Sequence, residues 1–383
     1  MSRHIEPIRF NHTLRDGVQS LFGTRCSVEE ILGAYANTHA IGTATIQTGG
    51  GTFFDLFAKF GRDEWQQVES IISHFEKKNV VQTALIRGDF LVSYKAQPFP
   101  VIKEFVKQYA QMGMNVFQNF HGLNDINALL SVAEAVRQVK DEYGYDIRTQ
   151  GAICIEKNKN MTLDGCKKFA ERLIETGHEG FYLKSASGVV DPYFVYRLTE
   201  TLAQDFNQKI DVHIHSTYGV APIGLMAAVE AGAENNIAVG IDVQHPAMSG
   251  STAQPSMSKM WSLIKNHPNE RVSKRLPDLN KNAIDADRDA LHALRFKYRE
   301  SEPQYNNDLK RKLIFIAQSK IKSGPPRFIP GFQFRLNRGF TTFALWIVEF
   351  FSRYTIGEIV LAGEARLRIG VIGIAVAISD IFH

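Results

Sequence analysis

The chain has 383 residues, of which 44% are hydrophobic and 22% are charged, and its formal net charge is +4. These values are typical of a globular protein and exclude collagen-like, disordered and disulfide-scaffold chains, while the charge is too small to indicate nucleic-acid binding. The cysteines are only three, Cys26, Cys154 and Cys166, and the N-terminus has no apolar signal region, so we expect a cytoplasmic protein.

Short β-branched runs alternate with longer amphipathic segments, which predicts βαβ units around a parallel sheet. The predicted strands are 5–13, 41–47, 80–86, 115–120, 149–155, 180–184, 210–216 and 241–245. Amphipathic stretches follow most of them, at 28–37, 63–77, 100–112, 126–143 and 163–176. Eight such units favour an α/β fold of the TIM (β/α)8 barrel type over an open sheet.

The pattern changes after about residue 260. We predict a barrel over 1–265 and a mainly helical C-terminal domain over 266–383. Residues 309–338 contain eight Lys or Arg and no acidic residue, which indicates either a solvated face or a docking surface for an acidic partner. The apolar stretches 340–351 and 369–378 are shorter than the roughly 20 residues of a membrane-spanning helix, so we expect buried helices and no transmembrane segment.

Barrel enzymes carry their catalytic groups at the C-terminal ends of the strands. After strand one, Asp16 is a candidate metal ligand, or else one half of an ion pair with Arg15. After strand two, the glycines 49–51 predict either a tight turn or backbone N–H groups close to an anion. Arg87 after strand three is suited to gripping a carboxylate, and His121 follows strand four.

Two later strands carry the strongest signals. Lys184 ends a largely apolar run, so its ammonium group is expected to be paired or chemically modified. His213 and His215 are two residues apart on strand seven and therefore lie on one face. Two imidazoles placed in this way can bind one divalent ion, whereas two ordinary polar barrel residues are the plainer interpretation.

Several stretches, in this order, resemble the carboxyltransferase family of biotin-dependent enzymes. That family includes the alpha subunit of oxaloacetate decarboxylase, the carboxyltransferase domain of pyruvate carboxylase and the core subunit of transcarboxylase. The matching stretches are TLRDGVQSLFGTR (13–25), GGGT (49–52), LIRGDFLVSY (85–94), FQNFHGLND (117–125), KSASG (184–188), HIHST (213–217) and IDVQHPAMSGSTAQPS (241–256). A fainter match continues to RLRIG (366–370).

The resemblance implies a TIM barrel with a helical C-terminal domain and a site for a divalent metal, zinc, manganese or cobalt. The implied metal ligands are Asp16, a carbamylated Lys184, His213 and His215. Carbamylation would turn Lys184 from a cation into an anionic oxygen ligand.

The resemblance also implies that the substrate is a 2-oxo acid, oxaloacetate or pyruvate. Arg87 and Gln19 hold it in the family, Arg15 is a further substrate-binding candidate, and Tyr94 matches a tyrosine near the biotin site. Thr252 matches the threonine that transfers a proton between enolpyruvate and biotin.

Other positions depart from the family pattern. The family's KDM is Lys184-Ser185-Ala186 here, which removes an acidic neighbour of the lysine, and the Arg and Asp of its FRxFD are Gln118 and His121. No Met-Lys-Met biotin-attachment motif occurs, so we expect biotin on a separate carrier protein, together with a biotin carboxylase subunit. A homodimer is expected because barrels of this family commonly dimerise.

Three functions remain in competition. The first is a metal-dependent carboxyltransferase or decarboxylase that exchanges CO2 between a 2-oxo acid and carboxybiotin. The second is a biotin-independent lyase or aldolase on a 2-oxo acid, with His121 as a new catalytic acid or base. The third is a non-catalytic divergent subunit, against which the presence of all four implied metal ligands argues.

Overall fold

The computed structural model describes residues 5–51, 63–93, 95–156 and 161–302. Contacts group Met1–Arg299 into one compact unit and Glu300–His383 into a second. The division into a barrel of 1–265 and a C-terminal domain of 266–383 stays a prediction. Residues 303–383, with the basic stretch and both apolar stretches, lie outside the described residues.

Eight parallel strands close into a barrel in sequence order, and the first strand pairs with the last. They are β1 (Arg9–His12), β2 (Thr45–Gly50), β3 (Gln82–Ile86), β4 (Val116–Asn119), β5 (Arg148–Cys154), β6 (Phe181–Ser185), β7 (Ile210–Ile214) and β8 (Gly240–Val243). The TIM barrel and its eight strands are therefore confirmed. The strand ends differ from the predicted ones by up to four residues.

Helices surround the barrel and follow its strands. In the described ranges they are α1 (Leu14–Phe22), α2 (Val28–Ala34), α3 (Glu64–Glu76), α4 (Phe99–Met112), α5 (Ile126–Tyr143), α6 (Leu163–Glu175), α7 (Pro192–Asp205), α8 (Ala221–Glu234), α9 (Met257–Lys265), α10 (Glu270–Ser273) and α11 (Lys281–Lys297). Short 3-10 turns cover Thr38–Ala40, Gly88–Phe90, Pro246–Met248 and Arg299–Ser301. None of these helices is both long and apolar enough to cross a membrane.

Helix α1 is absent from the predicted elements. It begins at Leu14, immediately after β1, with only Thr13 between them, so the motif residues expected on a strand end lie instead in helical turns. Gly17 inside the helix lowers its propensity and hides it from a pattern-based prediction. Gly23 ends α1 in the left-handed conformation, with φ of 55°.

The glycine segment after residue 48 is neither a turn nor a loop in the structure. Strand β2 continues through Gly49 and Gly50, with a shift of register relative to β3 between Gln47 and Gly49. Gly50 has φ of +148°, and a Cβ there would lie 3.2 Å from Nε of Arg15. The tight turn is therefore wrong at Gly49 and Gly50, where the missing side chain makes room for Arg15.

The strands place apolar side chains outside the barrel and polar ones inside it. Leu183 belongs to the large apolar cluster under the helices, whereas its neighbour Tyr182 donates a hydrogen bond of 2.5 Å to Asp242. That bond joins β6 to β8 across the barrel, because these strands are not neighbours. Successive residues of a strand alternate between its two faces, so Leu183 faces the helices while Tyr182 faces the barrel interior.

A chain of hydrogen bonds between side chains, which we call the interior amide chain, runs through the barrel. It leads from Arg15 through Gln47, Gln118 and Gln150 to Asp211, with successive distances of 2.6, 2.9, 3.5 and 2.6 Å. A guanidinium group only donates and a carboxylate only accepts, so the two ends determine which way each of the three amides points. Gln118, the position of an arginine in the resembling family, is thus a neutral link in this chain.

Helix α11 packs on the barrel and reaches the loop after β8. Its Asp287 accepts hydrogen bonds from the backbone and side-chain nitrogens of Asn37, both at 2.9 Å. Arg295 donates to the carbonyl oxygens of Ala247 and Ser249, at 3.0 and 3.1 Å. This helix therefore supports the loop that carries Thr252.

Stability at acid pH is expected to depend on His178, which is buried behind β4. Its Nδ1 is 3.1 Å from the Leu173 carbonyl oxygen, and its Nε2 accepts from the Asn119 amide at 3.0 Å. Burial lowers the pKa of His178 to about 4. Because the folded pKa is depressed, the stability that the neutral ring contributes is complete above the unfolded pKa of about 6.5 and is lost as the pH falls towards 4.

We expect the free energy of unfolding to fall by about 2 kcal/mol between pH 7 and pH 5 through this group alone. Urea unfolding of the wild type and of His178→Gln at both pH values measures it, since the variant lacks the titrating ring. The exposed His292, changed to Gln, is the matched control and should leave the pH slope unchanged. An equal slope in His178→Gln and the wild type would contradict the prediction.

Candidate active site

The barrel brings three of the implied metal ligands together at the C-terminal ends of its strands. Oδ2 of Asp16 lies 3.4 Å from Nε2 of His213 and 3.5 Å from Nε2 of His215. All three residues are buried, and one ligand atom from each lies within 4.8 Å of the others. Two imidazole nitrogens and one carboxylate oxygen form a donor set that divalent transition metals accept.

Each of the two imidazole rings is held by a contact at its Nδ1 atom, so that its Nε2 atom faces Asp16. Nδ1 of His213 lies 2.8 Å from Oδ2 of Asp242, which also accepts the Tyr182 hydroxyl. Nδ1 of His215 contacts the backbone carbonyl oxygen of Thr252. A ring whose Nδ1 donates to an oxygen keeps its Nε2 lone pair for a metal, and such partners are typical behind metal-bound histidines.

The protonation states also suit a metal. Burial lowers the pKa of His213 well below its ordinary value, and the neighbouring His215 lowers it further. Burial alone would raise the pKa of Asp16, but His215 and Arg15 together hold it well below its usual range. A neutral imidazole and an ionised carboxylate are the forms that bind metal ions. Burial raises the pKa of Asp242, and the Tyr182 hydrogen bond acts against that rise.

Gln254 lies against the ring nitrogens of both histidines. Its amide nitrogen lies 3.4 Å from Nε2 of His213 and 3.2 Å from Nε2 of His215. Its oxygen accepts from the Thr13 hydroxyl at 2.8 Å, so the nitrogen must face the rings. The N–H group of Gln254 thus faces the Nε2 lone pairs of both rings, so the amide and a bound cation would compete for them.

Lys184 lies beside this cluster on the neighbouring strand. Its Cα is paired in register with that of His213, and the residue is 5% exposed. Its Nζ lies 5.1 Å from the centre of the Phe120 ring. Lysine in its ordinary form donates only and ligates no metal, so a role as the fourth ligand requires the carbamylated form.

Two further predicted residues, Arg15 and Gln19, contact each other next to the candidate metal ligands. Nη1 of Arg15 donates to Oε1 of Gln19, while Nη2 of Arg15 lies 3.5 Å from Oδ2 of Asp16. Since the oxygen of Gln19 accepts from Arg15, its amide nitrogen faces away from the guanidinium group. Arg15 itself is 3% exposed. Its guanidinium group donates to the side-chain oxygens of Gln19 and Gln47 and is therefore not open to solvent.

Thr252 is tied to the same cluster through α1. Its hydroxyl donates to the Ser20 carbonyl oxygen at 2.6 Å. The Ser20 hydroxyl in turn donates to Oδ1 of Asp16 at 2.7 Å. Thr252 is half-buried, and its hydroxyl is linked through Ser20 to the carboxylate of Asp16.

The remaining predicted residues lie in loops around the mouth. Arg87 follows β3 and donates to the Ser93 carbonyl oxygen. Nδ1 of His121 accepts from the Asp125 backbone at 3.2 Å, and its ring stacks on Phe90 with centres 6.2 Å apart. These contacts tie Arg87 and His121 to the loops after β3 and β4. Tyr94 and Thr52 lie outside the described residues.

The residues that support the candidate ligands, above all Asp242, Tyr182 and Gln254, were not predicted from the sequence. A usable signal was present for Asp242, because it is a lone carboxylate between the buried apolar residues Ile241 and Val243. A charged group in such a position needs a partner inside the protein. Nothing in the local pattern indicates that its partners lie on β6 and β7.

Several known proteins are similar to this chain. The HMGL-like family profile matches residues 6–239. The chain is 28% identical over 316 residues to the methylmalonyl-CoA carboxyltransferase 5S subunit of Propionibacterium freudenreichii subsp. shermanii, covering 81% of this chain and 57% of that protein. It is 28% identical over 254 residues to the B subunit of the pyruvate carboxylase of Methanocaldococcus jannaschii, covering 66% of this chain and 42% of that protein.

Among solved structures, the carboxyl transferase domain of Rhizobium etli pyruvate carboxylase with pyruvate superposes with a TM-score of 0.68 at 26% identity. The match covers 78% of this chain and 49% of that one. The chain therefore spans about half the length of these relatives.

Proposed function

The chain belongs to the HMGL-like family, and we propose that it is a metal-dependent carboxyltransferase that exchanges CO2 between a 2-oxo acid, oxaloacetate or pyruvate, and biotin on a separate carrier protein. The observation that carries the proposal is the buried cluster of Asp16, His213 and His215, whose two imidazoles direct Nε2 at one carboxylate oxygen. The names of the relatives, a pyruvate carboxylase subunit and a carboxyltransferase subunit, support the same reaction class.

Most of the predicted site residues have a role in this proposal. A divalent ion held by Asp16, His213, His215 and a carbamylated Lys184 would supply a Lewis acid that polarises the substrate carbonyl group. Gln19, whose oxygen is bound by Arg15, offers its N–H2 group to the substrate carboxylate. Arg87 adds a guanidinium group, and a bidentate pair with a carboxylate fixes both position and orientation.

Thr252 is proposed to move the proton. In the decarboxylation direction the bond between C3 and C4 of oxaloacetate breaks, and the carboxyl group forms a bond to a ring nitrogen of biotin. The proton that leaves this nitrogen passes through Oγ of Thr252 to C3, which gives pyruvate. The Ser20 carbonyl oxygen, which accepts from this hydroxyl at 2.6 Å, fixes the position of Oγ.

The assembly is part of the proposal. We expect a biotin carrier protein and a biotin carboxylase subunit as partners, a homodimer of this chain and a cytoplasmic location. The relatives named above include a subunit of pyruvate carboxylase and a subunit of a carboxyltransferase, which supports a multi-component enzyme.

Decarboxylation of oxaloacetate by the purified full-length chain tests the proposal, with Zn²⁺, Mn²⁺ or Co²⁺, bicarbonate and free biotin present. We expect pyruvate to form at a rate that rises with the biotin concentration and that a chelator abolishes. Pyruvate formation independent of biotin and lost in His121→Ala would favour the lyase instead. Metal binding in less than stoichiometric amount, without activity, would favour the non-catalytic subunit.

A further inference from the structure

The loop that follows Lys184 is held by a carboxylate from the neighbouring strand end. Glu156, just beyond β5, accepts hydrogen bonds from the backbone nitrogens of Ala186 and Ser187, at 2.5 and 3.1 Å. Its second oxygen accepts from the hydroxyl of Ser185 at 2.8 Å and from that of Ser187. One carboxylate thus receives four hydrogen bonds from three consecutive residues.

The two serines extend this network along the loop. The Ser185 hydroxyl oxygen accepts from the backbone of Gly188 at 3.1 Å, and that of Ser187 accepts from Val189 at 3.0 Å. Each hydroxyl therefore donates to Glu156 and accepts from the backbone. The conformation of residues 185–189 depends on the presence of the carboxylate at its centre.

The same loop connects two implied metal ligands. Lys184 precedes it, and the Lys184 carbonyl oxygen accepts from the backbone of Ile155, next to Glu156, at 2.9 Å. The Ser185 carbonyl oxygen accepts from the backbone of His215 at 3.1 Å. Gly188, with φ of +72°, is so close that a Cβ would collide with the His215 carbonyl oxygen. A shift of the loop would therefore move His215 as well as Lys184.

We propose that Glu156 is a positioning residue for the metal site, one that holds Lys184 and His215 in the geometry required for a divalent cation. It takes the place of the carboxylate that directly follows the lysine in the resembling family, where this chain has Ser185. Only an ionised carboxylate has enough acceptor capacity for these four donors, because an amide replaces one oxygen by a donor. The inference rests on the proposed function, which requires the metal.

Cobalt affinity tests the inference without reference to activity. Co²⁺ is titrated into the metal-free full-length chain and followed by its visible absorption, with far-UV circular dichroism and thermal melting as measures of folding. We expect Glu156→Gln to bind Co²⁺ roughly 10- to 100-fold more weakly than the wild type, the usual cost of losing a group behind a metal ligand. The exposed Glu171 on α6, changed to Gln, should bind it as the wild type does.

A second variant tests whether Glu156 takes the place of the carboxylate that follows the lysine in the resembling family. Glu156→Gln combined with Ser185→Asp returns a carboxylate to the position after the lysine and should bind Co²⁺ more tightly than Glu156→Gln alone. If these two variants bind Co²⁺ equally tightly, Glu156 does not take the place of the family's carboxylate. If Glu156→Gln binds Co²⁺ as tightly as the wild type does, Glu156 is not a positioning residue. If Glu156→Gln fails to fold, Ser187→Ala replaces it, with weaker binding expected and unchanged binding overturning the inference. A wild type that binds no Co²⁺ would instead defeat the proposed function.

Discussion

Asp16→Asn is expected to abolish stoichiometric metal binding and to lower the rate of oxaloacetate decarboxylation roughly a thousandfold, the effect of several kcal/mol of lost charge stabilisation. The carboxylate is the only anionic ligand in the cluster of Asp16, His213 and His215 within the described residues. An amide nitrogen in place of Oδ2 would point at the Nε2 atoms of both histidines, 3.4 and 3.5 Å away, and would donate to them. The variant should therefore fold while its site is closed to a cation.

Metal content by inductively coupled plasma mass spectrometry and initial rates with biotin measure this prediction. The exposed Asp164 on α6, changed to Asn, is the matched control, since it removes the same charge at a position that is not part of the cluster of Asp16, His213 and His215. It should keep the metal and the rate of the wild type. A full complement of metal in Asp16→Asn would show that this carboxylate is not a ligand.

Thr252→Ala is expected to lower turnover by roughly a hundred- to ten-thousandfold, the usual contribution of a positioned proton-transfer group. Metal binding should persist, because His215 contacts the backbone carbonyl oxygen of Thr252, which every residue possesses. The Michaelis constant for oxaloacetate should change little, since the groups proposed to hold it, Gln19 and Arg87, remain. Loss of rate without loss of metal separates this residue from the ligands.

Thr252→Ser is the control, because it keeps a hydroxyl that can donate to the Ser20 carbonyl oxygen. We expect it to retain most of the turnover. The proton-transfer role would be refuted if Thr252→Ala kept the wild-type rate, or if the serine variant were as slow as the alanine variant while both bound metal.

The fold was predictable from the sequence because each strand corresponds to a recognisable local sequence pattern. The buried runs are short, most of them are followed by an amphipathic stretch, and all eight form strands of the barrel. Helix α1 was not predicted, although Leu14, Val18 and Leu21 recur at helical spacing, because Gly17 lowers the helix propensity of a segment of only nine residues. Its position nevertheless matters, because it moves Asp16 from a strand end into the first turn of a helix.

The two histidines of the candidate metal site were predictable for a different reason, because His213 and His215, two residues apart on one strand, form a local pattern. Their supports were not predictable in the same way. Tyr182 and Asp242 are 60 positions apart and meet only because the barrel closes. Which side chains face each other across its interior depends on the stagger of the strands, and no stretch of sequence shows that stagger.

The interior amide chain limits how this barrel can change during evolution. Each of its three glutamines accepts from the link before it and donates to the link after it, between an arginine that only donates and a carboxylate that only accepts. A single reversal or a single Gln→Glu change would bring two acceptors or two donors face to face. Positions 47, 118 and 150 should therefore vary together among close relatives, as one inherited unit rather than as three independent sites.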